Sequence, residues 1–306
     1  MRITLTILAV ACGETMVLAH GDESLTSPRA LSPFDLIAMT FLLTTGVLYA
    51  VGTVRLFRRH ALPRPFEPVA FAVGLSALLV AVLPPLDGWA IRRFSAHMFQ
   101  HELMMLVGAP LVMAGRPVPV WLQALPQPLR IRCARMLQSP ATHGAWNTVT
   151  TPIVAWTLHG GAIWLWHLPQ LYDLAVDNEA IHLVQHAMFV GTAIVFWWGM
   201  LYGRYGRAGY GAAVFYVFTT AVHTGILGAI VTFAGAPLYS VYLAPAAANG
   251  LDALADQQLA GLIMWVPAGL VLTTLGIALF AAWLGEAERR ARALPEQSRG
   301  RRTGFG

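Results

Sequence analysis

Apolar residues run along this chain in blocks of about twenty, separated by short polar stretches, rather than at the two-residue period of a half-buried strand. Seven such blocks follow one another, at about Phe34–Phe57, Val69–Leu86, Phe94–Met113, Val149–Leu168, Ile181–Leu201, Ala213–Ala234 and Leu259–Leu284. Each is close to the roughly 20 residues that carry an α-helix across the hydrocarbon core of a bilayer. The pattern predicts an all-α, polytopic helical membrane domain over residues 34–284, with about seven transmembrane helices. Pro110 and Pro267 fall inside the third and seventh blocks and are expected to kink them.

A shorter apolar stretch, Ile3–Ala11, follows a single arginine and precedes small residues near Ala19. Residues 1–19 therefore resemble a secretory signal peptide, residues 20–33 an extracytoplasmic segment, and residues 285–306 a basic tail. Charge fixes which end is which. All 20 basic residues are arginines, and charged residues make up only 11% of the chain. Arg55, Arg58, Arg59 and Arg64 follow the first block, Arg116, Arg130, Arg132 and Arg135 the third, and Arg204 and Arg207 the fifth. Six more lie between Arg289 and Arg302, whereas the alternate loops hold Asp87, Asp173, Asp177, Glu179, Asp252 and Asp256 with only Arg92 and Arg93. The positive-inside rule then puts the N-terminus outside a plasma membrane and the C-terminus in the cytoplasm. Read this way, the arginines mark topology and not a nucleic-acid partner, and the tail from Arg289 to Arg302 also attracts anionic membrane lipid. Cys12 and Cys133 offer no disulfide framework.

The candidate chemistry sits at the outer end. His97 and His101 share a helix face at the entry of the third block, and His182 and His186 repeat that spacing on the fifth. His167 closes the fourth block, His159 lies about 12 Å deeper, and His223 falls near the middle of the sixth. Extending the helical period places Met104 below His101, and Gln257, Gly261 and Met264 on one face of the seventh. Ionisable groups inside a membrane are expensive and mark function. Imidazole suits copper, zinc and iron, and thioethers favour Cu(I), so this His/Met set points to copper first. The candidate ligands are His97, His101, His182, His186, Met104, Met264, His223 and His167. Glu102 could balance a cation or act as a protonated hydrogen-bonding group, while His60 and His143 are expected in solvent. Trp164, Trp166, Trp197 and Trp198 read as interfacial anchors.

Three strings carry a family resemblance. His97-Met98-Phe99-Gln100-His101 with Ala109-Pro110-Leu111 and Gly115-Arg116-Pro117 resembles the first signature of the CtaG-type cytochrome c oxidase assembly factors, the membrane family linked to the caa3-type oxidase. His182-Leu183-Val184-Gln185-His186 leading into Phe196-Trp197-Trp198 resembles the second. Asp256-Gln257-Gln258 with Gly261 and Met264-Trp265 resembles the third. The resemblance implies a seven-span plasma-membrane protein that matures a haem–copper oxidase, with copper handling as its role and oxidase subunits among its partners. An extracytoplasmic donor protein would supply the metal.

Two other classes fit the histidines. Facing imidazoles can ligate haem axially in a membrane redox protein. A copper transporter or channel would use His159 and His223 as deeper stations, although the inner halves of the blocks hold no ionisable trail. No nucleophile–base pair or cofactor loop stands out, so the chain does not read as an enzyme.

Overall fold

The computed structural model describes residues 31–61, 63–202 and 209–302, with the side chains of the last helix described as far as Arg289. The expected leader, residues 1–19, and Arg204 and Arg207 lie outside the described residues. Within them, the chain is helical and forms no strand.

Helices occupy all seven predicted blocks. The first is α1 (Pro33–Arg58), opened by a capping box in which Ser32 and Asp35 satisfy each other's backbone N–H groups. Helix α2 (Phe66–Val82) follows, then a short α3 (Leu86–Ala90). The third block forms α4 (Phe94–Glu102), a π-helical turn (Leu103–Gly108) and α5 (Ala109–Ala114), and turns through 61° into α6 (Pro117–Ala124). Helices α7 (Gln127–Leu137) and α8 (Pro140–Val149) bury no residue. The remaining blocks are α9 (Pro152–Trp166), α11 (Glu179–Tyr202), α12 (Gly209–Thr232) and α14 (Ala253–Arg302), with α10 (Pro169–Asp177), a 3-10 turn and α13 (Leu243–Ala248) between them.

Four helices are long and apolar enough to cross a membrane, or five if the bent pair counts as one span. The chain is therefore a multi-pass membrane protein. The other two predicted spans form helices of 17 and 15 residues, α2 and α9. Fifteen residues reach only about 22 Å against a hydrocarbon core of about 30 Å. Helix α14, at 50 residues, carries the last span and continues through Pro267 into the predicted basic tail as far as Arg302.

The π turn has a local cause. Pro110 lacks an N–H, so the helix cannot pair normally across it, and Ala109 N–H reaches back five residues to the Met104 carbonyl. The carbonyl of Met105 loses its helical partner and accepts instead from Trp197 Nε1 at 2.8 Å. Trp197 is thus a buried structural donor rather than an interfacial anchor, and Trp166 is buried likewise, its Nε1 lying 3.3 Å from the Met188 sulfur. At the far end of this helix, Tyr49 donates to the Gly115 carbonyl and Tyr202 to that of Met113. Arg116 then takes a left-handed conformation, φ 48°, which aims the chain into α6. The Gly115-Arg116-Pro117 string is accounted for by this turn. A Cβ on Gly115 would also stand 2.5 Å from that of Phe71.

Two apolar clusters organise the bundle. One gathers Phe94, Met98, Tyr172, Phe189, Trp197 and Met264; the other, around α2, gathers Tyr49, Phe71, Leu78, Met104 and Val112. Helices α12 and α14 cross closely because Gly228 and Gly261 face each other, where a Cβ on Gly261 would strike Thr232.

Candidate metal centre

The site is built where α4 and α11 meet at the acidic-loop end of the bundle. Helix α4 starts without a cap of its own: its N-cap residue, Arg93, supplies no side-chain bond. Asp256, at the start of α14, takes that role across 161 residues of sequence, accepting from Phe94 N–H at 2.7 Å and from the Ser95 hydroxyl. Gln257 beside it accepts from Leu238 N–H at 2.6 Å and donates to the Val231 carbonyl, closing the end of α12. Gln100 donates to the Ala81 carbonyl at 2.6 Å and to Asp87, tying α4 to the end of α2. Gln100, Asp256 and Gln257 of the signatures thus hold the helices in register.

That register brings four imidazoles together. Ring centroids of His97 and His101 are 4.4 Å apart, His182 and His186 4.1 Å, His97 and His182 5.1 Å, and His101 and His186 5.3 Å. Ligand nitrogens of His97, His182 and His186 all lie within 4.8 Å of one another. His97, His101 and His186 are buried, and each has an Nε2 with no hydrogen-bond partner. Buried imidazole nitrogens normally find partners, so unpaired ones on neighbouring rings fit the donor set of a metal.

One nitrogen of His97 is not orphaned. Its Nδ1 lies 2.7 Å from the Tyr242 hydroxyl, which itself donates to the Ala90 carbonyl at 3.1 Å. With its proton so placed, Tyr242 accepts from His97, which puts the imidazole proton on Nδ1 and the free lone pair on Nε2. Burial holds the Tyr242 hydroxyl well above the ordinary phenol range, so it stays a donor. Tyr172 and Tyr239 are raised for the same reason, and with Phe94 the three tyrosines roof the histidines.

His167 stands beside this group, sharing Tyr172 and Phe189 as neighbours with His97 and His101. Its Nδ1 donates to the Ile163 carbonyl at 2.7 Å and its Nε2 is buried without a partner. The other predicted ligands are Met104, Met264 and His223. Met104 lies in the apolar cluster around α2, at the start of the π turn. Met264 belongs to the apolar cluster that also holds Phe94, Tyr172 and Phe189, the rings around the histidines. His223 belongs to a deeper region, its ring 5.6 Å from that of Trp156 and its Nε2 close to Gly160. There a cavity of about 30 Å³ is lined by Glu102, His159, Thr220 and Thr224. His60 and His143 are exposed, as expected.

Sequence reasoning missed Tyr242 and left Gln185 without a role. The Gln185 side chain is fully buried with neither amide atom paired, one turn from His182 and next to His186. Its place inside the histidine string was the available signal.

A helical bundle of membrane-crossing length with an imidazole cluster inside one end defines a class: multi-pass membrane proteins that carry a buried histidine group. The chain belongs to the cytochrome c oxidase caa3 assembly factor family, which it matches over residues 47–286. It is also similar to an uncharacterized protein of Mycobacterium bovis and one of Mycobacterium tuberculosis, each 24% identical over 256 residues, or 79% of this chain. The chain spans 38% of the length of those relatives. No solved structure matches it significantly.

Proposed function

We propose that the protein carries copper to cytochrome c oxidase during assembly, binding it at the imidazole cluster. The observation that supports this most is the convergence of His97, His182 and His186 nitrogens within one ion's reach. Imidazole is a good copper ligand, and a site without thiolate leaves the ion open to exchange with an incoming ligand. His101 and His167 supply further nitrogens beside the three. With the arginine-poor end outside, the cluster faces an extracytoplasmic donor and the extracytoplasmic parts of the oxidase. The seven-span reading of a plasma-membrane protein, N-terminus outside and C-terminus inside, keeps α2 and α9 as short spans, matched by local thinning of the bilayer.

A route to the cluster lies at the same end. A cavity of about 20 Å³ is lined by Asp35, Asp87 and Glu179 together with His182 and His186. Carboxylates at the mouth raise the local concentration of a cation, and the imidazoles then replace the ligands of its donor. The only bonds exchanged are metal–ligand bonds, so the role is that of a carrier. An ion suits this geometry better than haem, because ring separations of 4.1–5.1 Å leave no slot for a macrocycle. The deeper cavity at Glu102 and His159 is the one observation that favours a transport reading. Copper uptake into sealed proteoliposomes decides between carrier and transporter.

The function is tested in cells whose own copy is replaced by the His182→Ala/His186→Ala variant. Delivery predicts a membrane-inserted variant and an oxidase short of copper. A copper-replete oxidase in that strain rejects the proposal.

A further inference from the structure

The opposite end of the bundle carries an unassigned feature. Four arginines, Arg55, Arg58 and Arg59 at the end of α1 and Arg130 on α7, line one open cavity of about 320 Å³. No carboxylate among the described residues lines it. Positive-inside topology accounts for arginines at this surface, but not for their convergence from two elements on one concavity.

Three of the four side chains are held in place. Arg55 Nη1 donates to the carbonyls of Gln123, Ala124 and Leu125 at 2.7–3.0 Å, capping the end of α6 and fixing its guanidinium against the cavity wall. Arg59 and Arg130 both donate to Gln123 Oε1, at 2.9 and 3.1 Å. One neutral acceptor thus orients two cations without cancelling either charge. A guanidinium has five donors, and these bonds leave most of them for a ligand.

We propose that this cavity binds a phosphate group, and that its source is the headgroup of an anionic phospholipid in the inner leaflet. Guanidinium pairs match phosphate oxygens in a bidentate way. The cavity's place argues for lipid over free phosphate. Leu129, Ile131 and Met136 are exposed on α7 beside Arg130, as are Val54 and Phe57 on α1, so apolar surface for acyl chains adjoins the charged pocket.

The test uses the full chain in a neutral detergent and reads apparent melting temperature against added phosphatidylglycerol, cardiolipin, phosphatidylcholine or inorganic phosphate. The anionic lipids should raise it and phosphatidylcholine should not. The Arg58→Gln/Arg130→Gln variant, which spares the capping Arg55, should need about tenfold or more lipid for the same rise, given roughly fivefold per basic contact at a membrane surface. The Arg132→Gln/Arg135→Gln variant loses the same amount of charge, from α7 and outside the cavity, and should respond as wild type. If Arg58→Gln/Arg130→Gln does not fold, Arg58→Lys/Arg130→Lys takes its place and should bind more weakly through loss of the fork geometry. Inorganic phosphate matching the lipids in wild type would overturn the lipid source. Equal lipid response in all variants would overturn the site.

Discussion

The Tyr242 hydroxyl stands 2.7 Å from Nδ1 of His97, joining a loop after α12 to the first turn of α4 across 145 residues of sequence. Because that hydroxyl donates to Ala90, it accepts from His97, and the imidazole is set with its Nε2 lone pair free beside His182 and His186. A partner of this kind orients a ligand without touching the metal.

Tyr242→Phe should therefore fold and bind Cu(I) about 10–100-fold more weakly, the range expected when an outer partner of a ligating histidine is removed. Competition with a chromophoric Cu(I) chelator measures it. Affinity equal to wild type would show that Tyr242 does not set the tautomer.

Neutralising the cavity mouth should change rate and not capacity. Asp35→Asn/Glu179→Gln is expected to slow Cu(I) loading several-fold at low salt and to flatten its dependence on ionic strength, with the final copper content unchanged. Stopped-flow transfer from a chelator reads both. Asp87 is left in place because it accepts from Gln100.

Asp256→Ala should destabilise the protein by about 1–2 kcal/mol through loss of the cap on α4, and Asp256→Asn by less, since Asn caps nearly as well. Thermal unfolding in detergent compares the two. Equal losses would mean that the charge of Asp256, not its cap, is what matters.

Gly261→Val should cost roughly 1–3 kcal/mol by overpacking, because the added carbons meet Thr232 and the Gly228 carbonyl across the α12–α14 crossing. Gly250→Ala is also expected to destabilise, for a different reason: its φ of 64° strains any side chain, with no neighbour to strike.

Alkaline pH should weaken the roof of the site. The hydroxyls of Tyr172, Tyr239 and Tyr242 are raised by burial above the ordinary value of 10.0. Their stabilisation is complete below the unfolded pKa of about 10 and is lost as pH rises through the folded values. Phenolate absorbance and unfolding should appear together above about pH 10. Free titration of all three in the folded protein would contradict their burial.

How much of this could be read in advance depends on the distance over which each feature is encoded. The two i, i+4 histidine pairs were legible because a regular helix fixes which side chains share a face, and matching depth on separate spans brought them together. The α-helical period carried from His97 and His101 to Met104 enters the π turn that starts at Leu103, and Met104 lies in the apolar cluster around α2. Asp256 and Gln257 were legible as a string but not as a cap and a clasp, since their partners lie on α4 and α12. Tyr242 was illegible because it sits in irregular structure, where no periodicity predicts orientation. Trp197 resembled an anchor by its place near a helix end, yet it answers a carbonyl freed by a proline on another helix.

Copper analysis of detergent-purified protein loaded anaerobically with Cu(I), with an optical spectrum, tests the central claim most directly. Wild type should hold copper stoichiometrically and show no Soret band; His97→Ala/His186→Ala should lose the copper, and His223→Ala, away from the cluster, should keep it. Copper retained by the His97→Ala/His186→Ala variant, or absent from wild type, would contradict a metal site at this cluster.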